Sequence, residues 1–177
     1  MAKPISIILH NEWGSNGFYG VNEYHRQLWN FRSSLGFYMG YQYYISKNGT
    51  IYQGRADDEE GAHCIGRNSD SIGICLEGNF DLQRPTEAQM TSLKSLILKK
   101  MTEYAIRPDQ IFGHRTYASY KSCPGGLLKE SELKALFQPD LSYYQSLLNS
   151  LKNLLLSLQT RRMGSGSSPC ISQDSRG

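Results

Sequence analysis

Two histidines and one cysteine have the residue types that catalytic zinc chemistry requires. His10 ends an apolar run that starts at Ile5, and His114 and Cys123 follow far along the chain. Two imidazoles and one thiolate suit Zn²⁺ and leave a fourth tetrahedral position open to water. An open position distinguishes a catalytic zinc from a structural one. The three residues therefore predict a zinc-dependent hydrolase.

Each of these residues also has an ordinary interpretation. A single histidine is usually not a metal ligand. Cys123 could be a buried thiol, or a nucleophile for which His114 serves as the base. Cysteine hydrolase chemistry is therefore the rival mechanism, and dependence on metal separates the two. Among the remaining candidates, Cys75 is expected to be a small buried side chain, Cys64 to be structural and His25 to lie on the surface.

Composition describes a globular protein of ordinary character. The chain has 177 residues, of which 39% are hydrophobic and 20% charged, so it predicts one domain with room for an appendage. A net charge of +3 is too small to indicate nucleic-acid binding. No apolar stretch of signal length precedes His10, and no segment approaches the length of a membrane span. The chain is therefore expected to be cytoplasmic when synthesised.

Short apolar runs predict the strands that position these residues. The runs cover residues 5–9, 41–45, 51–53, 71–76 and 111–112. The first and last of them deliver His10 and His114. Between the second and third, Asn48 and Gly49 predict a two-residue hairpin turn in which both residues have positive φ.

Helical periodicity appears twice in the main part of the chain. Apolar residues recur at three- and four-residue steps from Val21 to Leu35, where Gly36 predicts the end of the first helix. Thr86 predicts the start of the second, with Gln89 placed to reach back to the cap. Strands and helices alternate, which favours an α/β architecture with helices packed on a sheet.

The composition changes after Pro139. Leucines and one tyrosine repeat at three- and four-residue steps over residues 141–158, which predicts an amphipathic helix. That helix either docks on the domain, associates with a second copy, or contacts a membrane surface. The predicted organisation is therefore a domain over residues 1–138, a Leu-rich helix over 139–163 and a flexible Gly-Ser tail over 164–177.

Several motifs in one order resemble a known family, the type 2 N-acetylmuramoyl-L-alanine amidases. That family includes the bacteriophage lysozyme-type amidases and the animal peptidoglycan recognition proteins. The similarity covers about residues 5–137 and is carried by His10 after its strand, Gly40-Tyr41-Gln42-Tyr43, Lys47-Asn48-Gly49-Thr50-Ile51-Tyr52-Gln53, Gly61-Ala62-His63, Asn68-Ser69-Asp70-Ser71-Ile72-Gly73-Ile74, Pro85-Thr86-Glu87-Ala88-Gln89, Gly113-His114-Arg115 and Cys123-Pro124-Gly125.

The resemblance implies a fold and a set of roles. The implied fold is a central mixed β-sheet flanked by helices, with a zinc cleft at the sheet edge and here an extra C-terminal helix. The implied roles are zinc ligands at His10, His114 and Cys123, catalytic groups at Tyr41 and Lys121, and substrate-binding groups at His63 and Asn68. Without the resemblance, Tyr41 is a packed aromatic and Lys121 a solvated charge.

One departure bears on the mechanism. Cytoplasmic recycling amidases of the broader group have a catalytic glutamate where this chain has Cys75. The resemblance therefore favours the version that uses a tyrosine and a lysine. Glu77 lies two residues further along the same strand face and is a candidate substitute base.

The implied function is a zinc-dependent peptidoglycan amidase of the phage endolysin type. It would hydrolyse the amide between N-acetylmuramic acid and L-alanine of the stem peptide, acting on the cell wall after release and so lysing bacteria. Two alternatives stay open. One is a recognition module that binds peptidoglycan or muropeptides without cutting them, and the other is an amidase that also binds a cytoplasmic partner protein.

Overall fold

The computed structural model describes residues 3–14, 16–138 and 148–158. Chain contacts divide the protein into two compact units, Met1–Gln138 and Pro139–Gly177. All the candidate site residues belong to the first unit. The predicted boundary between helix and tail lies outside the described residues, so that division stays a prediction.

The first unit is organised around a mixed sheet of five strands. They are β1 (Ser6–Glu12), β2 (Tyr43–Ile45), β3 (Ile51–Gln53), β4 (Ser71–Glu77) and β5 (Ile111–Gly113), in the order β3-β2-β4-β1-β5. All neighbouring pairs are parallel except β2 and β3. The central strands β1 and β4 are buried on both faces, which explains why their sequences are continuous apolar runs. The predicted α/β class and central mixed sheet are confirmed.

Among the described residues of the first unit, three α-helices accompany the sheet: α1 (Gly17–Trp29), α2 (Glu87–Tyr104) and α3 (Glu130–Phe137). The predicted start of α2 is confirmed. The hydroxyl of Thr86 accepts the backbone N–H of Gln89 at 3.1 Å, and the amide oxygen of Gln89 accepts the N–H of Thr86 at 3.1 Å. These two bonds satisfy N–H groups that would otherwise lack partners at a helix start.

The two faces of the sheet have different neighbours, which fixes the side on which the site lies. Strand alternation puts Leu9 and Ile74 on one face, where they pack with α2 and α3 in the main core. It puts His10 and Cys75 on the other face, where Cys75 joins a smaller cluster with Phe18 of α1. His10 therefore points away from the main core, on the opposite face of the sheet.

The first helix is shorter than its periodicity predicted. It ends at Trp29, because Asn30 adopts a left-handed conformation with φ 48° while its N–H bonds to the carbonyl of Arg26 at 3.0 Å. The helix also starts earlier than predicted, at Gly17. The apolar residues beyond Asn30 belong to an irregular segment, so their helical spacing was misleading.

The hairpin is confirmed, but its predicted turn is wrong. The strands close at the pair Ile45 and Ile51, so the loop spans residues 46–50, and only Gly49 of the Asn-Gly pair has positive φ. The side chain of Asn48 accepts the N–H of Thr50 at 3.0 Å and widens the loop. Hydrogen bonds from α2, including Ser92 to the Gly49 carbonyl at 2.6 Å, hold it in that form.

In the second unit, residues 148–158 are helical and their leucines are exposed. The earlier part of the predicted helix, residues 141–147, lies outside the described residues. Among the helices that the structure describes, none has the length and apolar character needed to cross a bilayer.

Candidate active site

One cleft of about 1100 Å³ gathers all the residues that the sequence singled out for metal, catalytic and substrate-binding roles. It opens on the sheet face that carries His10. Its lining includes His10, Tyr41, His63, Asn68, His114, Lys121 and Cys123. Residues from both ends of the first unit therefore meet in one place.

Parallel strand pairing brings the two candidate histidine ligands together. His10 belongs to β1 and is 1% exposed, while His114 follows β5 directly as the first residue of a 3₁₀ turn. Because β1 and β5 pair with Leu9 opposite Gly113, the next residue of each strand lies at the same height. Their ring centroids are 4.5 Å apart.

Cys123 completes the set from the loop that follows. Its Sγ lies 3.8 Å from Nδ1 of His10, and its carbonyl accepts the N–H of Arg115 at 2.8 Å. The Arg115 guanidinium also donates to the carbonyls of Gly125 and Leu128, each at 2.8 Å. The arginine therefore anchors the loop at the cysteine and just beyond it.

The spacing of the donors fits a zinc ion. One potential ligand atom from each of His10, His114 and Cys123 lies within 4.8 Å of the others. With Zn–N of about 2.0 Å and Zn–S of about 2.3 Å, tetrahedral geometry separates nitrogen from sulfur by roughly 3.5 Å. The observed 3.8 Å between His10 and Cys123 is close to that value.

Burial keeps both candidate histidine ligands neutral, so each retains a lone pair. It lowers the pKa of His10, and the nearby His63 and His114 lower that pKa further. Burial also lowers the pKa of His114 to about 4, with a smaller effect from the Lys121 cation. Neutral imidazole is the form that binds a metal.

The pKa of the Cys123 thiol is shifted in the opposite direction from the pKa values of the two histidines. Burial raises its pKa to about 11, although the backbone of Asn11 and the charge of Lys121 act to lower it. Without a metal the sulfur is therefore protonated at neutral pH. A divalent cation that binds here must displace that proton, which couples metal affinity to pH.

Tyr41 and Lys121 line the same cleft as the three candidate ligands. Tyr41 lies just before β2, with its ring centroid 4.9 Å from that of His10. Burial, with a smaller contribution from the neighbouring Cys75, raises its pKa well above the usual value, so its hydroxyl stays a neutral donor. Lys121 is exposed, with its ammonium over the ring of Tyr120 at 5.6 Å.

The two predicted substrate-binding residues make contacts within the protein. Nδ1 of His63 lies 3.1 Å from Nε2 of His10. Burial lowers the pKa of His63 to about 3, against an opposing effect of the Ser71 backbone, so this ring is neutral too. The side-chain oxygen of Asn68 accepts the backbone N–H groups of His63 and Cys64 at 2.9 and 2.8 Å. Asn68 thereby fixes the loop that carries His63.

Comparison with known proteins decides the family. The model of the N-acetylmuramoyl-L-alanine amidase family matches residues 1–126, which is most of the chain. The chain belongs to this family. Peptidoglycan-recognition protein SC2 of Drosophila melanogaster is 38% identical over 88 residues, 49% of this chain and 47% of that protein. The endolysin of Klebsiella phage KP32 is 35% identical over 96 residues, 51% of this chain and 62% of that protein. The chain thus spans about half the length of the first of these relatives.

Solved structures of an amidase and of a peptidoglycan recognition protein share the fold. The N-acetylmuramoyl-L-alanine amidase LysC from Clostridium intestinale superposes with a TM-score of 0.67 at 34% identity, covering 75% of this chain and 84% of that one. A point mutant of Drosophila PGRP-LB, solved in complex with tracheal cytotoxin, gives a TM-score of 0.61 at 25% identity, covering 72% of this chain and 79% of that one. Both matches exceed two thirds of this chain, so the amidase fold extends well beyond the site.

His25 was predicted to lie on the surface, and that prediction is wrong. It is 4% exposed, its Nδ1 accepts the N–H of Gly40 at 2.9 Å, and its ring centroid lies 5.4 Å from that of Tyr41. The sequence contained the signal, because Phe18, Val21 and His25 share one face of α1 at helical spacing. His25 therefore supports the segment that leads into Tyr41.

Glu77 is not supported as a substitute base. It lines a separate cavity of about 380 Å³ between α1 and the hairpin loop, where its carboxylate accepts the N–H of Lys47 at 3.1 Å. The cleft lining also includes four exposed apolar or aromatic side chains to which the sequence assigned no role: Trp13, Trp29, Ile65 and Tyr120. Trp29 ends α1, and the other three lie in loops, where no periodic pattern marks a cleft side chain.

Replacing His25 by asparagine is expected to weaken the pH dependence of stability. Burial, with a contribution from Arg55, lowers the folded-state pKa of His25 from 6.5 to about 4. The unfolded chain therefore takes up the proton first, and the free energy of unfolding falls as pH drops below about 6.5. The penalty is about 2 kcal/mol at pH 5.

Asparagine can still accept the Gly40 N–H but does not titrate. Urea unfolding of both metal-free proteins at pH 7.5 and pH 5 measures the difference. Wild type should lose more stability than the variant on acidification. An identical loss in both would show that His25 does not contribute.

Proposed function

We propose that this chain is a zinc-dependent N-acetylmuramoyl-L-alanine amidase of the phage endolysin type. The observation that carries the proposal is the convergence of His10, His114 and Cys123 within one cleft of a family member. Their donor types and spacing fit zinc, and the cleft is large enough for part of a peptidoglycan strand. The bond cut would be the amide between the lactyl group of N-acetylmuramic acid and L-alanine.

The residues around the three ligands suit the hydrolysis of an amide. A bound Zn²⁺ would supply a Lewis acid that polarises a carbonyl and makes water a nucleophile at neutral pH. Tyr41 offers an enclosed hydroxyl beside His10 that can donate to the oxygen on which negative charge develops. Lys121 offers a cation at the cleft wall for the same charge. Trp13 and Tyr120 offer exposed ring faces for sugar or peptide groups of the substrate.

Removing the charge of Lys121 is expected to slow hydrolysis by about tenfold. A buried oxyanion donor contributes more, about 10²- to 10³-fold, but this ammonium is exposed and screened. Lys121→Met keeps the aliphatic stem, so folding should be unchanged, and zinc affinity should change little because the Lys121 charge has only a small effect on the pKa values of His114 and Cys123. The measurement is kcat on purified peptidoglycan at low and high salt. A variant with the wild-type kcat at low salt would show that Lys121 is only a surface charge.

Digestion of purified peptidoglycan tests the proposal directly. Mass analysis should find free stem peptides beginning with L-alanine, and intact glycan strands. A chelator should stop their release, and added zinc should restore it. Cleavage between sugars or within the stem, or cleavage that a chelator leaves unchanged, would contradict the proposal.

A binding module is the second candidate, favoured by the similarity to peptidoglycan-recognition proteins. Such a protein would retain muropeptides and release no stem peptide. The same digestion, with the bound fraction also collected, separates the two functions.

A further inference from the structure

The His63 ring contacts the proposed zinc ligand His10 at the ring nitrogen that does not face Cys123. Its Nδ1 lies 3.1 Å from Nε2 of His10, while Nδ1 of His10 is the nitrogen that faces Cys123. Each nitrogen of His10 therefore has a separate partner. A ligand histidine commonly directs its second nitrogen to a group that orients the ring.

The hydrogen bond between the two imidazoles can run in one direction only when His10 holds a metal. A metal bound through Nδ1 requires a lone pair on that atom, so the proton of neutral His10 lies on Nε2. Nε2 of His10 then donates, and Nδ1 of His63 must accept. His63 consequently carries its own proton on Nε2, an atom that is buried and without a hydrogen-bond partner among the described residues.

The fold holds the His63 ring where this bond forms. Two glycines make the slot that contains it. A Cβ on Gly61 would lie 2.4 Å from Cδ2 of His63, and a Cβ on Gly73 would lie 2.7 Å from the same atom. Any larger residue at either position would overlap the ring. Asn68 fixes the backbone of His63 from the other side.

We infer that His63 is a positioning residue for the zinc ligand His10, accepting its Nε2–H so that the Nδ1 lone pair points toward the metal. The inference rests on the proposed zinc site and goes beyond it, since the family resemblance implied only a substrate-binding role for His63. An unpartnered buried N–H opposes folding. The fold nevertheless holds the Nε2–H of His63 in this state, with the ring in the slot formed by the two glycines.

Zinc affinity of two His63 variants tests the inference. His63→Leu removes the acceptor and should weaken zinc binding about 10- to 100-fold, the usual effect of losing a partner of a ligand histidine. His63→Asn places an amide oxygen near the position of Nδ1 and should stay within a few-fold of wild type. Ser69→Ala, on the same loop but exposed and outside the cleft lining, is the matched control and should bind zinc as wild type does. Competition with a chromophoric chelator measures all four proteins.

If His63→Leu does not fold, a further variant and a spectroscopic measurement test the inference instead. His63→Gln carries its amide beyond the position of Nδ1, so it should bind zinc more weakly than His63→Asn. In ¹⁵N–¹H spectra of zinc-loaded wild type, Nε2 of His10 should be protonated and Nδ1 of His63 should not. Equal zinc affinity in every variant, or a proton on Nδ1 of His63, would overturn the inference.

These outcomes are separate from failure of the proposed function. If wild type binds no zinc or releases no stem peptide, the function itself is wrong. If wild type does both and His63→Leu binds zinc normally while its KM rises, His63 contacts substrate only and does not position His10.

Discussion

Replacing Cys123 by serine is expected to abolish zinc binding and amide hydrolysis together. The thiolate is one of three protein ligands in the proposed site, and a serine hydroxyl is a far poorer ligand for Zn²⁺ at neutral pH. The loss of affinity should exceed the 10- to 100-fold effect of losing a partner outside the ligand set. Zinc competition and release of stem peptide from peptidoglycan measure the two quantities.

Cys64→Ser is the matched control for this substitution. Cys64 lines the same cleft and is 3% exposed, but it is not part of the cluster formed by His10, His114 and Cys123. Zinc affinity should therefore be preserved. The rival cysteine mechanism predicts a different result for Cys123→Ser: no hydrolysis, but no difference in zinc affinity from wild type, and wild-type activity that survives a chelator. Full zinc occupancy and full hydrolysis in Cys123→Ser would show that Cys123 is not a zinc ligand.

Replacing Tyr41 by phenylalanine is expected to lower kcat by about 10²- to 10³-fold while zinc affinity and KM change little. The ring would keep its packing against His10 and His25, and only the hydroxyl would be lost. A donor used only as charge develops on the substrate oxygen acts on the transition state, so its loss appears in kcat. Steady-state hydrolysis and zinc competition on the same preparation measure these effects.

Tyr120→Phe provides the comparison for Tyr41. Tyr120 also lines the cleft, but it is 83% exposed. It directly precedes Lys121 in the sequence, three residues before the proposed ligand Cys123. Its hydroxyl should contribute little to kcat. If Tyr41→Phe kept the wild-type kcat, Tyr41 would be a packed aromatic, as its position beside a strand by itself indicates. A parallel fall in zinc affinity would assign it to support of the metal site instead.

The sequence was sufficient for features in which local chemistry dictates structure. The apolar runs became β1, β4 and β5 because strands buried on both faces need continuous apolar residues. The start of α2 followed from Thr86 and Gln89, which satisfy each other's backbone groups within four residues of chain. The buried state of Cys75 followed from its place in such a run.

Local signals failed where distant segments decided the outcome. Asn48 and Gly49 would suit a tight turn in isolation, but the loop is held open by hydrogen bonds from Thr86 and from α2. The apolar residues beyond Trp29 have helical spacing but form no helix, because α1 ends where Asn30 adopts a left-handed conformation. The helical spacing of His25 with Phe18 and Val21 marks a buried face, but the segment that covers it, at Gly40, is remote in sequence.

The sequence by itself determined which residues could bind a metal and support the hydrolysis of an amide, since residue type and family motifs specify donor chemistry. Only the tertiary structure decided that His10, His114 and Cys123 share one cleft, because parallel pairing of β1 with β5 brings remote residues to the same height. It also decided the contacts of His63, whose ring is directed to His10 by two glycines, one from a loop and one from a strand. Such contacts depend on the spacing of packed backbones, which no local pattern of residues encodes.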